Sequence, residues 1–340
     1  MTGPRQSRPR AALAMAPEAA AAVLTSDARA ELDRVCQLAP GPVLDDFGTD
    51  RARAVLRDVE VLVTGWGCPP LDAEALRAAP RLRAVVHTAG SVRAHVTQEC
   101  WDRGIEVSSA AAANALPVAE YTLAMILLTG KRVLERARDY RATRSRANAL
   151  HTPHDVGNFG RTVGILSASL IGRRVIELLR PHDLRVLLHD PYVSASEAAR
   201  LGVAAVGLGE LFARSDVVSV HTPLLPATRG LVNAELIAAM RPDAVLINTA
   251  RGAVVDQDAL AEAAAAGRVR AVLDVTDPEV LPPWHPLWDS DNVLITPHLA
   301  GSQGNEWRRL ADLAVVEVAR WAAGAGFAHQ VRRERLGRTA

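Results

Sequence analysis

Twice along this chain, short apolar runs alternate with stretches of helical periodicity, and that alternation leaves few folds open. Strands joined through helices run parallel, with helices covering the sheet on both faces. Between Ala11 and about Ser109, the strand-like runs are residues 61–63, 82–86 and 105–107, separated by helical patterns over 72–79 and 96–103. Asp72 stands at a helix start, where a carboxylate accepts from unpaired first-turn amides. A second series begins at Thr162 and reaches about Pro297, with strands expected at 162–166, 184–189, 217–220, 244–248, 270–274 and 293–296. The expected class is α/β, with two doubly wound, Rossmann-like domains. Between the series, a helical pattern runs from Asn114 to roughly Arg141, with Pro117 expected in its first turn, where proline is tolerated. Residues 143–160 read as a connection. Past Gly304, a last helix is marked by Trp307, Leu310, Ala314, Val318 and Trp321 at helical spacing.

Composition removes several classes of function. A chain of 340 residues has the length for two ordinary domains, and 49% hydrophobic with 23% charged residues suits a folded globular protein. A net charge of +1 without blocks of like charge gives no footprint for nucleic acid. The longest apolar stretch, around 121–128, reads as too short to span a bilayer. Arg5, Arg8 and Arg10 precede an apolar run at 11–15, but Pro17 and Glu18 cut it short of a signal peptide, so a short flexible leader is expected. Cys36, Cys68 and Cys100 show no paired spacing, which fits a reducing cytoplasm. Lys131 is the only lysine among 39 basic residues, so there is no Gly-Lys-Ser/Thr phosphate loop, and a lysine Schiff base would have to use Lys131. His151 and His154 bracket Thr152-Pro153 in an expected loop, and no metal is expected.

The second series opens on a dinucleotide-type turn with a departure. Strand 162–166 is followed by Ser167-Ala168-Ser169-Leu170-Ile171-Gly172 and a helix starting at Arg173. A Gly-x-Gly-x-x-Gly turn there cradles a pyrophosphate at the helix N-terminus. Serines replace the first two glycines, and only Gly172, the one for close helix–strand packing, remains. Asp190 follows the next strand about twenty residues on, placed to accept from ribose hydroxyls. An acid there repels the extra phosphate of NADP, so NAD is the expected cofactor. The Cβ of Ser169 stands where backbone would approach the pyrophosphate, while its hydroxyl offers a phosphate oxygen a hydrogen bond.

Three further segments carry chemistry: Ile247-Asn248-Thr249-Ala250-Arg251-Gly252, Leu273-Asp274-Val275-Thr276-Asp277-Pro278-Glu279 and Thr296-Pro297-His298-Leu299-Ala300-Gly301. Each follows an apolar strand-like run, and parallel sheets place chemistry beyond the carboxyl ends of their strands. A guanidinium at Arg251 can hold a carboxylate by two parallel hydrogen bonds. An imidazole at His298 with Glu279 as partner can exchange a proton near neutral pH. The set suits reduction of a 2-oxo acid.

With Asn114-Ala115-Leu116-Pro117-Val118-Ala119-Glu120 and His221-Thr222-Pro223-Leu224 added in order, the chain resembles the D-isomer-specific 2-hydroxyacid dehydrogenases over nearly its whole length. The resemblance implies Arg251, Glu279 and His298 as catalytic residues. It implies cofactor contacts from Ser169, Leu170, Ile171, Asp190, His221, Thr222, Pro223, Thr249, Ala250, Arg251, Asp274, His298 and Gly301, with a structural role open for His221. Substrate contacts are expected from Gly90 and Ser91, from Arg251, and from Trp66, for which core packing is the alternative. It also implies a discontinuous substrate domain, 11–115 with 305–330, around an NAD-binding domain at 116–304, and a homodimer formed through the cofactor domains. The alternative function is a nucleotide-sensing, corepressor-like binding protein on the same fold.

Overall fold

A computed structural model of the chain describes residues 8–145 and 149–336; Arg5 of the expected leader lies outside them. The chain divides into two compact units, Met1–Ala115 with Ser302–Ala340, and Leu116–Gly301.

In unit 1, β1 (Arg10–Ala14), β2 (Gln37–Leu38), β3 (Val61–Thr64), β4 (Ala84–His87) and β5 (Glu106–Ser109) pair in parallel in the order β5-β4-β3-β1-β2. Successive side chains go to opposite faces, as a pleated strand requires. Ala12, Leu62 and Val85 enter one core, and Ala11, Val61 and Ala84 the other. The run at 11–15, not assigned to a strand from the sequence, supplies β1 in the sheet interior; alanine favours strands weakly, and burial between β2 and β3 decides. Asp72 caps the helix Ala73–Ala78, accepting from the amides of Glu74 and Ala75 at 2.9 Å each.

Unit 2 holds β6 (Thr162–Leu166), β7 (Arg185–His189), β8 (Ala204–Ala205), β9 (Val217–Val220), β10 (Ala244–Asn248), β11 (Val269–Leu273) and β12 (Val293–Ile295) in the order β12-β11-β10-β9-β6-β7-β8. All pairs are parallel. Because β6 lies between β7 and β9, the chain builds outward on one side and then crosses to the other. That reversal leaves a crevice at the carboxyl ends of β6 and β9, the usual ligand position in such sheets. Both faces are covered: Leu246 enters one core, Val245 and Ile247 the other.

The chain then returns to unit 1. Leu310, Ala314 and Val318 of the helix Trp307–Ala322 share a core with Ala11 and Val61, and β13 (Gln330–Val331) pairs antiparallel with β5. The buried Glu317 fastens this return, accepting from Ser108 Oγ at 2.6 Å and from the amides of Ala328 and His329 at 3.1 and 3.0 Å.

The helix expected over 114–141 is in fact two. The first spans Ala111–Gly130 and the second Val133–Thr143, with Arg132 between them at φ 51°. The Gly130 carbonyl accepts from the amide of Gly157 at 2.8 Å instead of continuing the helix. Pro117 accordingly lies inside the first helix, past its first turn. At 20 residues, this helix is long and apolar enough, by length and composition, to cross a membrane, which corrects the impression given by 121–128 alone. Its Val118, Ala119 and Ile126 are buried within the protein, and Glu120 is exposed.

Candidate active site

The three chemical segments converge at the carboxyl ends of neighbouring strands in unit 2. Arg251 follows β10, Glu279 follows β11, and His298 follows β12. The first two segments meet backbone to backbone. A Cβ built on Gly252 would lie 2.0 Å from the Thr276 carbonyl carbon and 2.5 Å from the Asp277 amide nitrogen, so only glycine permits this approach. Gln257 clamps the backbone of Asp277, donating to its carbonyl at 2.6 Å and accepting from its amide at 3.0 Å. Thr276 Oγ1 contacts the carbonyls of Pro278 and Glu279 at 2.8 Å each. The loop presenting Glu279 is held on several sides.

The Arg251 turn is braced by Asn248, a buried amide ending an otherwise apolar strand. It accepts from the Ala250 amide at 3.0 Å and donates to the Arg251 carbonyl at 2.9 Å. Thr249 and Ala250 are buried, and Arg251 is partly exposed, with Nη1 donating to the Ala250 carbonyl at 2.6 Å.

His298 is half exposed, and its Nδ1 lies 2.5 Å from Glu279 Oε1. A carboxylate accepts there, so Nδ1 carries the proton and Nε2 is left to gain or lose one. Among the described residues no hydrogen bond engages that Nε2. The backbone of His298 is left-handed, at φ 51°, a conformation that costs a non-glycine residue roughly 1–2 kcal/mol. It is held by the His298 amide donating to the Asp274 carbonyl at 3.0 Å, and by the Asp274 carboxylate. Asp274 is buried; it accepts from Thr296 Oγ1 at 2.7 Å and from the amides of Leu299 and Ala300 at 2.9 and 3.0 Å.

The dinucleotide turn sits at the crevice between β6 and β9. A Cβ on Gly172 would lie 2.1 Å from the Ser167 carbonyl oxygen, so the packing role of this glycine is real. Ser167 adopts φ 81°, the left-handed conformation that the missing glycine would accept without strain. Its Oγ donates to Asp190 Oδ2 at 3.2 Å, and the Ala168 amide donates to the same oxygen at 2.8 Å. Ser169 caps the helix Leu170–Leu179, accepting from the Gly172 amide at 3.3 Å. Its oxygen thus occupies one first-turn amide, while its proton stays available to a phosphate oxygen. Leu170 is exposed and Ile171 half-buried. Beside Asp190, a cavity of about 300 Å³ is lined by Leu188, His189, Val193, Val206 and Glu210.

Across the crevice, the buried His221 accepts or donates through Nε2 with Ser219 Oγ at 2.9 Å, and burial pushes its pKa down to about 3. It is therefore neutral, with a buried Nδ1 lacking a partner among the described residues. Thr222 is buried and Pro223 half-buried beside it, and Gly301 ends the His298 loop. In unit 1, Gly90 and Ser91 lie in the loop after β4, and a Cβ on Gly90 would meet nothing closer than Asn114 Nδ2 at 3.9 Å. The fold does not demand that glycine. Trp66, after β3, is 43% exposed, which removes core packing as its role.

Asn248, Gly252, Gln257, Thr296 and Tyr121, whose hydroxyl lies 2.8 Å from Thr296 Oγ1, were not singled out from the sequence. Only Asn248 carried a readable signal, as a polar residue closing an apolar run. Among the described residues, no group of three or more His, Cys, Asp or Glu is placed to hold a metal.

Residues 123–300 match the family model described as D-isomer specific 2-hydroxyacid dehydrogenase, NAD binding domain. The chain belongs to the D-isomer-specific 2-hydroxyacid dehydrogenase family. NAD is the cofactor for which the matched domain is named. The chain is 32% identical over 283 residues to D-3-phosphoglycerate dehydrogenase of Mycobacterium leprae (strain TN), covering 82% of this chain and 52% of that one. It is 33% identical over 258 residues to glyoxylate reductase of Korarchaeum cryptofilum (strain OPF8), covering 75% and 77%. It thus spans about half the length of that phosphoglycerate dehydrogenase. A phosphoglycerate oxidoreductase from Rhizobium etli shares the fold, with a TM-score of 0.81 at 23% identity over 97% of this chain and all of that one.

Proposed function

We propose that the protein is an NAD-dependent oxidoreductase interconverting a small D-2-hydroxy acid and its 2-oxo acid. The observation that carries this reading is the His298–Glu279 pair, with Nδ1 and Oε1 at 2.5 Å. A pair so held commits Nδ1 to the carboxylate and leaves Nε2 for substrate. A protein that only sensed a nucleotide would need no acid–base pair beyond the cofactor crevice.

The residues present fit NAD. Gly172 keeps the turn close to its helix, the N-terminus of Leu170–Leu179 supplies amides for a pyrophosphate, and Asp190 supplies a ribose acceptor. Asp274 has about four acceptor sites of which the structure fills three, leaving one for a carboxamide N–H. Bound there, the nicotinamide supplies or takes the hydride. In reduction, protonated His298 gives its Nε2 proton to the substrate's keto oxygen while Glu279 stabilises the imidazolium. In oxidation, neutral His298 takes the hydroxyl proton. Arg251 clamps the substrate carboxylate and orients the reacting carbon. Ser169, Leu170, Ile171, His221, Thr222, Pro223, Thr249, Ala250 and Gly301 are proposed as further cofactor contacts. In unit 1, Gly90 and Ser91 are proposed to bind an anion through backbone amides, and Trp66 to contact substrate. The assignment of unit 1 to substrate and unit 2 to cofactor, a homodimer, a cytoplasmic location, and the absence of nucleic-acid and membrane partners belong to the same proposal.

The test follows NADH oxidation with a panel of 2-oxo acids, beside titration of NADH and NADPH. Turnover of at least one 2-oxo acid, with NADH bound more tightly than NADPH, is expected. Binding of NADH without turnover of any panel member would sink the dehydrogenase reading.

A further inference from the structure

The catalytic loop is tied to a helix by hydrogen bonds whose proton order the donors dictate. Leu299 and Ala300 present amides to Asp274, so Asp274 is an acceptor throughout, and Thr296 must donate its only hydroxyl proton to Oδ1 at 2.7 Å. Thr296 Oγ1 can then only accept from Tyr121, at 2.8 Å, which makes the phenol the donor that starts the chain. Tyr121 belongs to the helix Ala111–Gly130 and is half-buried. Burial, and to a lesser degree the negative charge of Asp274, pushes its phenol above the ordinary value, so it keeps its proton wherever the loop has to work.

We propose that Tyr121 and Thr296 form a proton-ordered chain that locks the Asp274 carboxylate in one orientation and thereby holds His298 in its left-handed conformation. The ties fall on both sides of His298, at Thr296 before it and at Leu299 and Ala300 after it. A strained residue persists only where its surroundings over-determine it. Locking Asp274 also fixes the direction of its one remaining acceptor site. Tyr121 is thus a positioning residue, acting through Thr296, and the inference rests on the assignment of His298 as the acid–base group.

The test is a double-mutant cycle on the full chain, with NADH affinity and steady-state kinetics as readouts. Thr296→Val should weaken NADH about tenfold, the worth of one hydrogen bond, and lower kcat by at least as much while KM for the oxo acid holds. Tyr121→Phe should cost about threefold, because Thr296 keeps its proton for Asp274. The double variant should be no worse than Thr296→Val, since a chain cut at its middle link gains nothing from its first. Thr296→Ser should return both readouts to within about twofold of the unaltered protein. Independent, multiplying effects of the two changes would overturn the proposal, as would a Thr296→Ser protein as impaired as Thr296→Val. The titration needs no turnover, so NADH binding with the expected coupling but no reduction of any 2-oxo acid would sink the dehydrogenase reading and leave this chain standing.

Discussion

At the scale of single residues, this site is legible where chemistry dictates residue type and silent where geometry does. Arg251, Glu279 and His298 stand out in the sequence because few side chains clamp a carboxylate or carry a proton near neutral pH. Nothing in the letters says that His298 is left-handed, or that Asp274 spends its carboxylate on the loop beside it. Replacing His298 with Asn should leave NADH binding nearly intact while turnover falls by roughly 10²–10⁴, the usual worth of a positioned acid. Near-normal turnover would remove His298 from the proton path. Ser169 gives the opposite kind of expectation. Its side chain places a Cβ at the dinucleotide turn and engages the Gly172 amide, and glycine is itself a tolerable N-cap. Ser169→Gly should therefore tighten NADH binding by on the order of 1 kcal/mol, one hydrogen bond's worth, at little cost in stability. Weaker binding, read in the same fluorescence titration, would show the Ser169 hydroxyl to be a phosphate ligand.

Elements were readable to the extent that periodicity is local. Six of the seven strands of unit 2 lie within a residue of where apolar runs place them, because a parallel sheet buried on both faces needs such runs. The other, β8, is two exposed residues at the sheet edge; it has no such run and was not expected. The break after Gly130 was not readable, since it depends on an amide 27 positions further along the chain, that of Gly157. The meeting of the β10 and β11 loops has the same character: Gly252 reads as an ordinary turn glycine until Thr276 is placed against it. Its φ lies outside the left-handed region, so close approach alone requires glycine there. Gly252→Ala should force the Arg251 turn away from the Glu279 loop and destabilise unit 2 by about 1–3 kcal/mol, the range for overpacking a tight interior. Turnover should fall together with the urea midpoint. An alanine variant with an unchanged midpoint and unchanged kcat would mean that the two loops have room to spare.

For the whole molecule, the same buried imidazoles that order the fold set its response to acid. In unit 1, Thr64 Oγ1 lies 2.9 Å from His87 Nδ1 and 3.1 Å from His95 Nε2, so one hydroxyl serves two rings whose centroids are 4.5 Å apart. Burial, with the neighbouring ring adding to it, pushes His87 down to about 3, and burial pushes His95 down to about 4. In unit 2, burial does the same to His221, at about 3. Each ring is neutral when folded, whereas in the unfolded chain it takes up a proton as pH falls through about 6.5. Between those values the unfolded state binds more protons, so stability rises with pH there. It is fully present above about 6.5 and is lost progressively as pH falls toward 4, at a limiting slope of about 1.4 kcal/mol per pH unit for each ring. Urea midpoints measured from pH 7.5 down to 5 should therefore fall steeply, in both units. Glutamine can place an amide group near the Nε2 position without titrating, so His95→Gln should flatten the profile by about one ring's worth. If His95→Gln leaves the slope unchanged, or if the unaltered protein is equally stable at pH 5 and 7.5, the buried pair is not what couples this fold to acid.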